Sequence, residues 1–405
     1  MAVEEARDAL IAIDEREQAA DAEALLAEHA WHRANQDAVL EHVQQARTLL
    51  IGTQPSAASG RVLEISARYL ALSGQLDDAI APAEEALRIA NELELDDLLV
   101  HALTTRGMIT SWLGDAKGGI ADTERALEIA RAANSPDAAR PANNLAEHYM
   151  DLGDHRRSDE FREESLRLAE RFGNREMVLF ASGVLTWTRL RTGDWDSALA
   201  LAEAVIAEAE AGSSHYQETS ARLIRGSIRL ARGSLDSALV DLRRAADVLR
   251  DVKDPQMLGL LGSVAARLWE LDLFDESRGL VREALDVARE HPAFAGNVRM
   301  ATSYAHEMDV ADEVRAGVES DRDGSWKDAA LAELDQDFVR AAEIYSQMDA
   351  VNWEAFSRLR AAEILIAQGR RADGEAELEK ALAFYRTVGA TFYIDRGKQL
   401  LAKSA

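Results

Sequence analysis

The stretch Gly226-Ser-Ile-Arg-Leu-Ala-Arg-Gly233-Ser-Leu-Asp-Ser-Ala238-Leu-Val-Asp-Leu-Arg-Arg-Ala245 decides how this chain folds. A glycine at 233 can take the left-handed backbone conformation that ends one helix, and the polar residues after it can accept hydrogen bonds from the free amides that open the next. Seven residues earlier, Gly226 offers a site with no side chain, where two helix backbones can come close. Five and twelve residues later stand Ala238 and Ala245. They lie seven apart and so share one helix face. The segment reads as two antiparallel helices packed through small residues, with Gly233 as the turn between them.

The same marks recur along the chain. Ala34, Gly74, Gly114, Gly153, Gly193, Gly233 and Asp272 are separated by 40, 40, 39, 40, 40 and 39 residues. Seven before each marker stand Ala27, Ala67, Gly107, Ala146, Thr186, Gly226 and Ala265. Five after come Ala79, Gly119, Ser158, Ala198, Ala238 and Ser277, and twelve after come Ala46, Ala86, Ala126, Ser165, Ala245 and Ala284. Gly153-Asp154 and Gly193-Asp194 show the turn chemistry best. Two residues past the marker, Leu76, Trp195, Leu235 and Phe274 are expected to plug the space between the helices. Repetition at this period means a solenoid, in which each unit contacts its neighbours and stability is a sum along the array.

Composition agrees with an all-helical chain. Hydrophobic residues make up 47% of the 405, while there are only 6 prolines and 6% aromatics. The formal charge of −26 repels phosphate backbones and anionic headgroups, so neither nucleic acid nor a membrane surface is an expected partner. With no cysteine, disulfides, thiolate nucleophiles and cysteine-based zinc sites are excluded. That fits a reducing cytoplasm, which is the expected location. The start Met1-Ala-Val-Glu-Glu-Ala-Arg does not read as a secretion signal, and none is expected. No apolar run approaches the roughly 20 residues of a spanning helix.

A small residue, then Gly-Asp/Ser-x-x-x-Ala, then a further small residue resembles the tetratricopeptide repeat, and Gly233-Ser-Leu-Asp-Ser-Ala238 is a close match. That repeat is usually about 34 residues long. Six extra residues per unit lengthen the helices by a total of roughly 9 Å. Long units of this kind resemble the carboxyl-terminal repeat regions of large bacterial ATP-dependent transcriptional activators of the maltose-responsive type. They also resemble those of repeat-bearing cyclases and signalling ATPases. The resemblance implies a right-handed α-solenoid of about nine to ten helical hairpins with a C-terminal capping helix, one array over residues 1–405.

Regular units are expected over 1–290, and a degenerate unit or bend over about 291–325, where His291-Pro292 breaks a helix and Glu319-Ser-Asp-Arg-Asp-Gly324 forms a charged loop. Register returns at Gln336, with Ala329 and Ala341, and at Gly369, with Ala362 and Ala381, so 326–405 holds regular units and a cap over Ala390 to Lys403. No phosphate loop occurs: Gly114-Asp-Ala-Lys-Gly-Gly119 lacks the lysine that must follow its second glycine. Neither a nucleotide-binding nor a DNA-binding domain accompanies the repeats, so the chain reads as the sensor part of a larger regulator or as an adaptor. His29 and His32, beside Glu28, lack an evident third ligand, and no metal site, cofactor or catalytic set is expected. The chain is not expected to be an enzyme.

In repeats of this family, the positions ten, six and three before the turn on the first helix tend to face an inner, concave surface. Carried onto this chain, and with the neighbouring Asn144 added, they give as candidate groove residues Arg68, Met108, Asn143, Asn144, Glu147, Trp187, Ser227 and Trp269. An inward asparagine can both donate to and accept from a peptide backbone. Trp187 and Trp269 could stack on a sugar or grip an apolar side chain. Arg222, Arg225, Arg229 and Arg232 form a basic stripe that can pair with acids on a neighbouring helix, face solvent or dock an acidic partner. The expected function is a regulatory scaffold that binds a protein or peptide in the concave groove. The alternative is a small-molecule sensor, for an oligosaccharide for example, whose ligand alters the curvature of the array.

Overall fold

The residues that punctuate the sequence are the ones that turn the chain. In the computed structural model, which describes residues 2–33, 35–212, 216–252 and 254–403, the marker glycines 74, 114, 153, 193, 233 and 369 have φ between +77° and +104°. Asp272 and Gln336, which take the glycine's place, adopt the same left-handed conformation at +59° and +58°. The marker Ala34 lies outside the described residues. After the turn, Asp115, Asp154, Asp194 and Asp337 each accept a hydrogen bond from the amide three residues on, capping the second helix.

The small residues lie where the helices meet. Ala27, Ala67, Ala146, Thr186 and Ala265 on first helices, and Ala79, Ser158, Ala198, Ala238 and Ser277 on second helices, are completely buried. Where serine replaces alanine, the facing backbone can take up its hydroxyl: Ser277 Oγ donates to Ala265 O at 2.7 Å and Ser165 Oγ to Ala139 O at 2.8 Å. Gly107 and Gly119 show how close the approach can be. A Cβ built on Gly119 would stand 2.5 Å from the carbonyl oxygen of Gly107, so the helices Asp96–Trp112 and Ala116–Ala132 touch backbone to backbone.

The described residues are helical, with no strand among them, and divide into two compact units. The first contains the pairs Arg16–His32 with Gln36–Leu49, Ala57–Leu72 with Leu76–Glu92, Asp96–Trp112 with Ala116–Ala132, and Ala139–Asp151 with His155–Phe172. The second contains Leu261–Glu270 with Phe274–Glu290, Ser325–Leu334 with Phe338–Gln347, Val351–Ala367 with Arg371–Val388, and the last helix Thr391–Lys403. Glu218–Ala231 and most of Leu235–Val252 also belong to it.

Between 291 and 325 the second unit holds a hairpin that the marker spacing misses. Its first arm is a 3-10 helix, Pro292–Tyr304, its second the short helix Ala311–Glu319, and its turn is Asp309 at φ +61°. Proline at the start and the tighter winding of the first arm erase the seven-residue spacing on which the marker depends.

Among the expected plugs, only Trp195 is buried. Leu235 and Phe274 are about 40% exposed and Leu76 is half-buried. All four open their helices, a turn ahead of the layer of small residues. The indole of Trp195 is large enough to reach back, and packs edge-on against Phe384 at 5.9 Å.

Candidate functional site

Five of the sequence candidates fall in the first unit and do not share one surface. Met108 is buried among Ala67, Ala71, Ala79 and Ala83. It fills core rather than lining a groove, because the alanines around it leave a volume that a flexible thioether can occupy. Glu147 is exposed and pairs with Arg162 at 2.9 Å. Asn144 is half-buried, while Asn143 is buried with its side-chain oxygen unpartnered among the described residues.

Arg68 belongs to a buried charge network that sequence reasoning missed. Glu64, one turn before it, accepts from Arg140 at 3.0 Å and from the Thr105 hydroxyl, and lies 3.7 Å from Arg68. Burial opposes its charge, yet Arg68, Arg140, His101 and Thr105 together outweigh that and bring its pKa down to about 2. Arg140 and His101 stand three places nearer the N-terminus than the first of the positions used to pick groove residues, so the position rule passed over them.

In the second unit the basic stripe has an owner. Asp241, 1% exposed on the facing helix, accepts from Arg225 at 2.8 and 2.6 Å, from Arg229 at 2.8 Å and from Arg222 at 3.5 Å. Arg222 also binds Glu218 at 2.7 Å, and Arg232 reaches Asp196 at 2.8 Å. The stripe therefore pairs with acids of neighbouring helices.

The second unit also contains a solvent-open cavity of about 90 Å³. Trp187, Trp195, Trp326 and Trp353 line it, four of the seven tryptophans of the chain. Tyr345, Phe356, Tyr385 and Tyr393 complete an aromatic wall in which Trp326 and Trp353 meet edge-to-face at 5.6 Å and Tyr385 stacks on Tyr393 at 4.7 Å. Of the sequence candidates Trp187 and Ser227 line this cavity. Trp269 does not. It packs on Phe274 at 4.5 Å under the guanidinium of Arg278, because its place next to the turn sets it against the helix that follows.

Charged groups at the cavity are largely matched from within. Buried Glu333 accepts from Thr302, from Ser303 at 3.0 Å, and from Tyr345 and Ser357 at 3.2 Å each. Its burial outweighs these four hydroxyls and raises its pKa. Arg267 binds Glu270 at 2.9 Å and lies over the Phe356 ring, and Arg299 binds Asp321 at 2.8 Å. Three donors of the lining have no acceptor among the described residues: Trp195 Nε1, the Tyr385 hydroxyl and Arg299 Nε. Trp326, Trp353, Tyr385 and Tyr393 come from units whose spacing is irregular or shorter, which is why the regular pattern did not point to them.

His29 is exposed, and the side chain of His32 lies outside the described residues. Among the described residues no group of three metal-binding side chains forms, and no helix is long and apolar enough to cross a membrane.

Residues 137–211 match the tetratricopeptide repeat family model. That segment spans the units around Gly153 and Gly193, where the Gly-Asp turns are most regular. Among solved structures, the chain is similar to NprR in complex with its cognate peptide NprX, with a TM-score of 0.53 and 13% identity over 80% of this chain and 96% of that one. It is also similar to the Rap conjugation gene regulator of plasmid pLS20 in complex with the Phr* peptide, with a TM-score of 0.50 and 15% identity over 90% and 95% of the two chains. Comparison with curated protein sequences returned no match. The likeness establishes an all-helical, tetratricopeptide-like repeat fold.

Proposed function

We propose that this protein is a cytoplasmic, non-enzymatic regulatory scaffold that binds a peptide or a peptide segment of a protein, with the aromatic cavity of the second unit as the principal site. The observation that carries the reading is the lining itself: eight aromatic side chains around a preformed space, with polar groups interspersed. Such a lining offers apolar contact to a ligand's surface groups at little ordering cost. Two proteins of similar fold were solved with peptides bound, which supports a peptide as the ligand class. The one carboxylate in the lining is already saturated by four hydroxyls, which disfavours its use as a catalytic base. The resemblance to the repeat arms of ATP-dependent activators would make the chain the sensing part of a regulator, acting as one array along its length.

The test is selection from a random peptide library displayed on phage, with the full chain as bait, followed by calorimetry on the enriched sequences. A shared motif that binds at micromolar affinity, and at least tenfold weaker to Trp187→Ala, is the expected result. Absence of any enriched motif, together with a rise in melting temperature on adding oligosaccharides, would overturn the reading in favour of a small-molecule sensor.

A further inference from the structure

We propose that the N-terminal end of the first unit is a docking surface for a basic amphipathic helix of a partner protein, which completes a hairpin of which this structure shows only the second helix. This goes beyond the peptide-binding reading, which concerns the second unit.

The argument starts from register. Successive hairpins of the first unit are joined by left-handed residues: Glu94, Asn134 and Gly173, at φ +53°, +50° and +67°, each follow the second helix of a pair. Asp14, at φ +62°, stands 80 residues before Glu94, two periods back. The helix that precedes it, Ala2–Ala12, is therefore a second helix by position. It also docks as one, since Arg7 binds buried Glu23 on the first helix of the hairpin that follows, at 3.0 Å.

A second helix buries one face against the first helix of its own hairpin. Eleven, eight and four places before the turn, that face holds Ala83, Ala86 and Ala90, then Thr123, Ala126 and Ala130, then Arg162, Ser165 and Ala169, none more than 6% exposed. Three of these show what they meet. Thr123 lies against Gly107, Ser165 Oγ donates to Ala139 O at 2.8 Å, and Arg162 pairs with Glu147 at 2.9 Å, each partner standing on the first helix of the same hairpin. In Ala2–Ala12 the same places hold Val3, Ala6 and Leu10. Val3 is 37% exposed, Ala6 is exposed and Leu10 half-buried, and no residue of the helix is buried. By helical spacing, exposed Ala2 and Ala9 widen this apolar strip on the side away from Glu23.

The end of a repeat array ordinarily turns a polar face outward. This strip instead repeats the interface of a hairpin, and what covers that interface in the units that follow is a helix. Charge selects which helix. Ala2–Ala12 carries Glu4, Glu5 and Asp8 against Arg7 alone, and Arg7 is already held by Asp8 and Glu23. Asp14 and Glu15 follow at the turn. A helix with basic residues beside its apolar face is attracted here, whereas a second copy, acidic at the same place and part of a chain of −26, is repelled.

Two end-capped, dye-labelled peptides copied from first helices of this chain serve as probes. Residues 218–232 carry four arginines to one glutamate, with Gly226 as a point of close approach, and residues 96–110 carry two aspartates to one arginine. Binding to the full chain is read by fluorescence anisotropy and by gain of helicity in circular dichroism. The basic peptide should bind and gain helix, and the acidic one should bind about tenfold more weakly. Ala6→Gln, at the centre of the strip, should weaken the basic peptide about tenfold, because the longer side chain holds the helices apart. Ala12→Gln makes the same change outside the strip and should leave binding unaltered. Both alanines are exposed, so neither variant should melt lower than the parent.

Absence of binding by the basic peptide, equal binding of the two peptides, or binding that Ala6→Gln weakens no more than Ala12→Gln would overturn the proposal. So would sedimentation that shows the parent as a dimer and Ala6→Gln as a monomer, since a second copy would then own the face. Trp187→Ala tests the peptide-binding reading separately, and failure of this inference leaves that reading standing.

Discussion

Replacing Asp241 with alanine should be among the most damaging single changes in the second unit. The carboxylate is 1% exposed and accepts two hydrogen bonds from Arg225 and one each from Arg229 and, at longer range, Arg222. Its loss affects the three arginines unequally. Arg222 keeps Glu218 at 2.7 Å, and the side chain of Arg229, 31% exposed, can turn to water. Arg225 is 13% exposed and has no other acid partner among the described residues, so its charge is left stranded. Removing one partner of a buried pair costs about 3–5 kcal/mol, and the exposed Arg229 contact adds at most about 1 kcal/mol. For a unit of this size, roughly 2–4 °C per kcal/mol puts the fall in Tm at about 6–24 °C. Urea denaturation followed by circular dichroism measures the first quantity and calorimetry the second. Because the penalty is the stranded guanidinium, Asp241→Ala combined with Arg225→Met should recover most of the loss, a coupling that a double-mutant cycle reads directly. A single variant that loses less than 1 kcal/mol, or a double variant no better than the single, would refute the reasoning.

Acid should weaken the first unit through Glu64. Its pKa of about 2 lies below the 4.5 of an ordinary glutamate, so its contribution is complete above pH 4.5 and disappears as the pH falls through 2, a change of about 3 kcal/mol. Glu64→Gln should flatten that limb in urea titrations between pH 5 and pH 2, and an unchanged slope would count against the network. Glu333, raised by burial, has the opposite sign: its contribution is complete at low pH and declines as the pH climbs past the ordinary carboxylate range, so Glu333→Gln should reduce the loss of stability of the second unit above pH 5. Gly119→Ala should lower stability by about 1–3 kcal/mol despite alanine's better helix propensity, because the new methyl meets the Gly107 carbonyl and the Ser111 backbone; a more stable variant in thermal melts would contradict the backbone contact. Gln336→Gly should raise stability by about 1 kcal/mol, since an exposed glutamine there holds φ at +58°, and calorimetry showing no gain would count against strain at that turn.

The repeat was legible because a helical hairpin imposes its geometry on a few fixed positions. A backbone that must turn left-handed selects glycine or, at 272 and 309, aspartate; helices in backbone contact select glycine, alanine or serine, as at Gly107, Ala67 and Ser158. These demands are local, and each leaves a residue type that can be read at a known offset. The unit turning at Asp309 escaped for the same reason. Its first arm winds as a 3-10 helix, which changes the number of residues per turn, so the offsets that define the pattern elsewhere do not apply.

The polar interior and the cavity are set by residues that meet from different units, and spacing within one unit says nothing about such meetings. Glu64 and Arg140 stand 76 residues apart, and the guanidinium reaches the carboxylate only because three successive hairpins bring their first helices alongside, His101 and Thr105 of the middle one lying against Arg140. The stripe from Arg222 to Arg232 could be seen as a line of charges, but not that a single aspartate, nine positions past Arg232 on the next helix, gathers three of them. The position rule found Trp187 and Ser227, whose helices carry the regular spacing, and passed over Trp326, Trp353 and Tyr385, whose units are short or displaced. The cavity thus forms where regular repeats meet irregular ones. Its wall carries rings from both, Trp187 and Trp195 from the regular units and Trp326, Trp353 and Tyr385 from the others.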